Sequence, residues 1–223
     1  MVCPQLEEQK MIVTRALSKI FGLRPVLRGV DLQISAGEWV ALFGANGAGK
    51  STLLRLLAGL ARPTTGQVLI NGLDLAKKGQ QVRPLLAYLG HRPLLYPQLT
   101  ALENLRFFAD LYRVPNAEPQ CQALLERVNL ARFANEATAG FSRGMQQRLA
   151  LARILIHQPR LLLLDEPWTG LDVQGSELLD AILCERHQAG CTILFTTHDL
   201  AHGRALAQRS MVLRGGKLER EGS

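Results

Sequence analysis

GANGAGKS, residues 44–51, is the stretch on which the reading of this chain turns. An all-apolar run, Trp39–Phe43, precedes it and a leucine-rich run follows, so the order reads strand, loop, helix. Its spacing is GxxxxGK[ST], the pattern of a loop that wraps nucleotide phosphates. Gly44, Gly47 and Gly49 let the backbone curl until successive N–H groups point inward as an anion nest. Lys50 is expected to reach the β- and γ-phosphates, and the Ser51 hydroxyl to ligate Mg²⁺. The helix that begins here turns its positive end to the phosphates. The nucleotide-binding set read from this stretch is Gly44, Ala45, Asn46, Gly47, Ala48, Gly49, Lys50, Ser51 and Thr52.

Outward from the loop, residues 11–17 and 26–34 read as antiparallel strands. In the second, Val30, Leu32 and Ile34 alternate with Asp31 and Gln33, giving one buried and one wet face. A helix from Ser51 to about Leu60 is expected to stop at Pro63, and Val68–Ile70 to form a short strand. From about 92 to 156 the texture is helical. Thr100 and Glu103 make a capping-box pair, a second helix is expected near 118–130, and a third from Ser142 to about His157, closed by Pro159. Strand texture returns at Arg160–Asp165 and Thr192–Thr196, and residues 211–219 read as a hairpin around Gly215–Gly216. The implied layout is α/β: a mixed-sheet core with an antiparallel β subdomain and an inserted helical subdomain. Residues 1–10 read as an extension. Residues 11–220 read as one domain, with a catalytic lobe at 11–91 and 157–220 and a helical lobe at about 92–156.

A chain of 223 residues can bury a substantial core. No apolar run reaches the ~18 residues needed to cross a bilayer, and the start, with Glu7, Glu8 and Lys10, has no secretory apolar core. Cys3, Cys121, Cys184 and Cys191 are spread without a CxxC pair and read as reduced cytosolic thiols. Cys184, His187 and Cys191 have a spacing that fits a helix surface and a strand start as well as a metal site. The net charge of +7 suits a nucleotide ligand, an anionic membrane surface or a solvated basic face. No interleaving of aromatic and basic residues points to nucleic acid.

The second chemical signal is Leu161–Leu164 followed by Asp165 and Glu166. Such a strand delivers acids to the carboxyl edge of a parallel sheet, where ligands bind. Asp165 is expected to hold Mg²⁺, directly or through water, and Glu166 to act as general base on the attacking water.

GANGAGKS, FSRGMQQRLALAR (141–153), LLLLDEP (161–167), TGLD (169–172) and TTHD (196–199), in that order, resemble the nucleotide-binding subunit of ABC transporters over essentially residues 11–220. The resemblance implies an ATPase with ATP and Mg²⁺ as cofactors. It implies a head-to-tail pair of identical copies sandwiching two ATP, and integral membrane permease partners at the cytoplasmic face of the inner membrane. Ser142 and Gly144 then stand in the signature loop and grip the γ-phosphate bound to the opposite copy. Arg143 and Met145 depart from the usual glycine and glutamine. Asp172 falls in the loop that crosses the dimer interface, His198 matches the switch histidine at the γ-phosphate, and Phe21 matches the aromatic that stacks on adenine. His91 stands where the family usually has a glutamine that ligates Mg²⁺ and links the two lobes. A neutral imidazole offers one lone pair for that task and a protonated one offers none, so hydrolysis is expected to depend on pH through His91.

YLGHRPLLYPQLTALENL, residues 88–105, resembles one branch more closely, the ATPases of cytochrome c maturation haem exporters. That resemblance implies permeases of ABC-2 type and a haem-handling complex. The alternatives are an exporter of drug, lipid or polysaccharide and a soluble ATPase acting on nucleic acid or the ribosome. Against the last, the stretch between Lys50 and Asp165 carries no heptads and the chain holds a single cassette.

Overall fold

The computed structural model describes residues 9–220. Residues 1–8, with Cys3 and most of the expected extension, lie outside the described residues. Strands β1 (Lys10–Phe21) and β2 (Arg24–Ser35) pair antiparallel, as their alternation requires. Thr14 bridges an irregularity in that pairing: its hydroxyl donates to Val30 O at 2.7 Å and accepts from Leu32 N at 2.9 Å. Next come β3 (Trp39–Phe43), α1 (Lys50–Leu57), β4 (Thr65–Ile70), β5 (Leu73–Asp74), α2 (Leu75–Val82) and β6 (Leu86–Leu89). Three helices then stand before the sheet resumes: α3 (Ala101–Leu111), α4 (Ala117–Arg127) and α5 (Arg143–Leu155). The chain closes with β7 (Leu161–Asp165), α6 (Val173–Gln188), β8 (Thr192–Thr196), α7 (Leu200–Leu206), β9 (Arg209–Arg214) and β10 (Lys217–Arg220).

Two sheets result. One is antiparallel in the order β2-β1-β4-β5; the other runs β10-β9-β3-β8-β7-β6 and is parallel except at its β9–β10 hairpin. Every residue of β3, β7 and β8 is buried, so apolar side chains run on consecutive positions rather than alternating, with polar residues only at the strand ends, Asp165, Thr192 and Thr196. Their period of two still sorts them between two cores. Trp39, Ala41, Phe43, Leu162, Leu164, Ile193 and Phe195 face the side with the inserted helices. Val40, Leu42, Leu161, Leu163 and Leu194 face α1 and the antiparallel sheet. The register sets Leu42 beside Thr196 and Asp165 beside Thr196, which brings the ends of β3, β7 and β8 to one edge.

Several boundaries differ from those read in the sequence. Helix α1 ends at Leu57, well before Pro63, because Gly59 N bonds to Leu56 O at 3.1 Å and Leu60 N to Arg55 O at 2.9 Å, closing the last turn. Helix α5 stops at Leu155 and α4 spans Ala117–Arg127, both shorter than their apolar patterns suggest. The first strand already includes Lys10. Helix α2, with its mixed polarity, and strand β6, only four residues long, add to the elements read in the sequence. The capping box forms as read: Glu103 N donates to Thr100 Oγ1 at 3.2 Å, and Thr100 N to Glu103 Oε2 at 2.8 Å.

Candidate functional site

The loop after β3 is held open by its own backbone. Gly44 and Gly49 have φ of 148° and 106°, outside the range that side chains favour. A Cβ on Gly44 would lie 2.5 Å from Leu213 O, and one on Gly49 would lie 3.1 Å from both Leu27 Cδ2 and Val26 Cγ1. Lys50 is only 6% exposed, and its Nζ donates to Gly44 O at 2.6 Å and Ala45 O at 3.3 Å. That ammonium is therefore pre-set against the loop rather than free in water. The loop forms the floor of a cleft of about 540 Å³ lined by Phe21, residues 45–52, His91 and Glu166, together with Arg24 and Val26. Phe21, 54% exposed, offers one ring face to the cleft while Lys19 Nζ sits 4.9 Å from its centroid.

The acids arrive from the end of β7. Asp165 is 1% exposed, and its Oδ1 accepts from Thr196 Oγ1 at 2.9 Å. Its Oδ2 faces Tyr88 Oη at 3.5 Å and His91 Nε2 at 3.9 Å. Burial, reinforced by the Asp165 charge, pushes the Tyr88 phenol up to about 12, so that hydroxyl stays a donor. Glu166 has φ of 54°, and its N–H donates to Thr196 Oγ1 at 3.0 Å. One threonine hydroxyl thus holds the Asp165 carboxylate and the Glu166 backbone. The Glu166 carboxylate meets His198 Nε2 at 2.5 Å. A carboxylate and an imidazole in contact beside a phosphate-cradling loop can accept a proton from water and hold a developing charge.

Ser142, Gly144 and Asp172 lie apart from this cleft. Ser142 caps α5 by accepting from Met145 N at 3.3 Å, and Gly144 stands in the first turn of that helix. Asp172 caps α6 by accepting from Gly175 N at 2.8 Å. A second hollow, of about 440 Å³, joins His91, Arg143, Gln147 and Glu166. Cys184, His187 and Cys191 are not gathered into a metal set. The His187 ring packs on Trp39 at 5.3 Å, and Cys191 Sγ donates to Pro159 O at 3.4 Å. Sequence reading passed over Thr196 and Tyr88. Thr196 stands inside the TTHD motif and could have been singled out there, whereas nothing local marks Tyr88.

Comparison with known proteins extends this picture. The ABC transporter family model matches residues 27–169. The aliphatic sulfonates import ATP-binding protein SsuB of Pseudomonas putida KT2440 is 40% identical over 219 residues, covering 96% of this chain and 77% of the relative. The ABC transporter ATP-binding protein NatA of Bacillus subtilis 168 is 36% identical over 195 residues, covering 86% and 79%. An ATP-binding subunit of an ABC transporter superposes with a TM-score of 0.88 at 32% identity, covering 95% of this chain and 90% of that one. A dimeric ATP-binding cassette in a post-hydrolysis state with ADP and Pi superposes at 0.86 and 30% identity, covering 94% and 97%.

These relatives correct the expectation of a haem exporter in cytochrome c maturation, and with it the other export cargoes and the ABC-2 partner. The sulfonate relatives are import proteins by name and match along 96% of the chain, whereas the export reading rests on short stretches, residues 88–108 first, with 141–153 and 165–172 beside them. The structure gives the first of these folding work. Thr100 and Glu103 cap α3, and Asn104 Nδ2 donates to Tyr96 O, Leu99 O and Thr100 O while its Oδ1 accepts from Tyr96 N. Such a turn specifies no cargo. With a family match over most of its length, relatives at 40% identity and a phosphate-loop motif facing a buried Asp165 and a part-buried Glu166, this chain belongs to the ABC transporter family as an ATP-hydrolysing, ATP-binding subunit.

Proposed function

We propose that this chain is the motor of an ABC import complex, working as a head-to-tail pair on the cytoplasmic face of the inner membrane against integral permease subunits. The observation that carries the motor reading is the Glu166–His198 contact at 2.5 Å beside the phosphate loop. Import, with aliphatic sulfonates as the solute class, is supported by the names of the relatives. Among the described residues no helix is long and apolar enough to cross a membrane, so this reading assigns passage of the solute to partner chains.

In this reading Phe21 stacks on adenine, residues 44–52 cradle the phosphates, and Lys50 swings from its loop carbonyls to the β- and γ-phosphates. Ser142 and Gly144 of one copy complete the site of the other, with Asp172 at the junction. The helical lobe, about 92–156, passes motion to the permease, and residues 11–91 and 157–220 hold the nucleotide. The hydroxyl of Ser51 and the buried carboxylate of Asp165 are the hard oxygen donors that fit Mg²⁺, and His91, an imidazole 3.9 Å from that carboxylate, would supply a softer nitrogen beside them. When bound, Mg²⁺ neutralises charge developing on the phosphates. Glu166 takes a proton from the attacking water, and His198 holds the carboxylate and the γ-phosphate in line.

Glu166→Gln tests the assignment. The variant is expected to bind ATP with unchanged affinity, accumulate as a dimer, and turn over at least about 100-fold more slowly. Rapid multiple turnover would refute the role of Glu166. Growth on an alkanesulfonate as sole sulfur source, in a host whose only copy carries the variant, tests the solute. Loss of growth supports the sulfonate class, and unaltered growth assigns another solute.

A further inference from the structure

Trp168, Asp180 and His202 make a closed polar cluster behind the Glu166–His198 pair. Trp168 Nε1–H donates to Asp180 Oδ1 at 2.7 Å, and His202 Nε2 meets Asp180 Oδ2 at 2.8 Å. A carboxylate only accepts, so the His202 proton in this contact sits on Nε2. The Trp168 and His202 rings also pack edge to face at 4.9 Å, and the indole packs edge to face with Phe195 of β8 at 5.2 Å.

The cluster joins three segments that have no ladder bonds between them. Trp168 stands two residues after Glu166, in the turn where Thr169 N bonds to Glu166 O at 3.1 Å. His202 stands four residues after His198, on α7, whose start is capped by Asp199 accepting from His202 N at 2.9 Å. Asp180 lies on α6, an element with no group in the nucleotide cleft. Both partners of the Glu166–His198 contact sit on short irregular segments, and Glu166 has a positive φ that its surroundings must hold. Asp180 spans those two segments with one carboxylate.

We infer that Asp180 is a positioning residue for ATP hydrolysis: by accepting from Trp168 and from His202 it locks the turn after Glu166 to the helix after His198, and so sets the distance between them. This rests on the assignment of Glu166 and His198 above. A loss of register by about 1 Å at a reacting pair can cost on the order of 100-fold in rate. Asp180 touches no residue of the phosphate loop, so nucleotide affinity should not respond.

Steady-state hydrolysis by full-length Asp180→Ala, with ATP varied, is the test. The expected result is kcat lowered about tenfold or more with KM for ATP within about twofold. Asp180→Asn, which keeps one acceptor for Trp168 and offers an N–H to a neutral His202, should recover most of kcat. His202→Ala, which removes one of the two bonds from a half-buried side chain, should fall between and serves if Asp180→Ala does not fold. Turnover within twofold of wild type in Asp180→Ala, or in His202→Ala where that variant stands in, overturns the inference. So does a loss in which KM rises in step with the fall in kcat, since that marks general disruption. Glu166→Gln run in parallel separates the two readings. If it stays active, the catalytic assignment fails. If it is dead while Asp180→Ala is normal, only the positioning role fails.

Discussion

Two of the loops that carry glycine and end in a helix N-terminus, at 44–51 and 141–145, are built in opposite ways. The phosphate loop at 44–51 is braced from every side: positive φ at its glycines, a backbone carbonyl 2.5 Å from where a Gly44 Cβ would stand, and a buried Lys50 bonded across it. The signature loop at 141–145 has none of this. Gly144 has no positive φ, the nearest atom to its would-be Cβ is Gly170 O at 3.4 Å, and one Ser142 hydroxyl caps the helix. A nest that must bind within its own chain is preorganised by that chain, and its strain is offset by the surrounding sheet and cores. A nest whose ligand would come from a second copy can be left as an ordinary helix start. The difference teaches that, of these two loops, only the phosphate loop carries backbone strain.

The comparison breaks most plainly at Gly44. Gly44→Ala forces a Cβ into Leu213 O and a strained φ, and should cost about 2–4 kcal/mol of stability along with measurable binding of a fluorescent ATP analogue. Chemical unfolding and titration check both, and a stable variant that still binds would show that the loop is less braced than its geometry says. Gly144→Ala should do the reverse. Its stability should stay the same or rise by up to about 1 kcal/mol, since alanine suits a helix better. Turnover should fall about tenfold as the exposed nest loses an approach path. Full activity would mean that this glycine is not used in trans.

The smallest effect bears on the far end of the signature helix. His157, just past α5, stacks on Tyr112 at 3.8 Å, and its Nε2–H donates to Leu86 O at 3.2 Å while Nδ1 is buried with no hydrogen-bond partner among the described residues. Burial, and then the nearby Arg153 and Arg186, hold its folded-state value below the ordinary 6.5, against the pull of the Leu86 bond. The folded state therefore takes up this proton later than the unfolded chain does. The contribution to stability is complete above about 6.5 and is lost as the pH falls through the lowered value. Hydrogen exchange between pH 7 and 5 should show α5 losing protection before α1, and His157→Gln should reduce that slope. Equal loss in both helices would place the acid sensitivity elsewhere.

Much of this was legible in the residues. The phosphate loop, the buried strands β3, β7 and β8, the two acids and the Thr100–Glu103 cap are written in periods and spacings of a few positions. The helix after the phosphate loop was read too long because its leucines continue to Leu60 while the backbone turns at Gly59. The export expectation fails because it leans on short stretches, and in the main one, residues 88–108, Asn104 does structural work by holding a turn.

What the sequence determined by itself is the chemistry that neighbours in the chain can encode: a strand that must be buried, a loop that must bind phosphate, carboxylates at a strand end. What only the tertiary structure decided is which distant groups tune that chemistry. Thr196 reaches both Asp165 and Glu166, Tyr88 faces Asp165, and Asp180 holds Trp168 to His202. The reason is the strand order β3-β8-β7-β6, which differs from the order along the chain. Sheet pairing sets side chains about 4.8 Å apart across strands whatever their separation in sequence, and no local period carries that information.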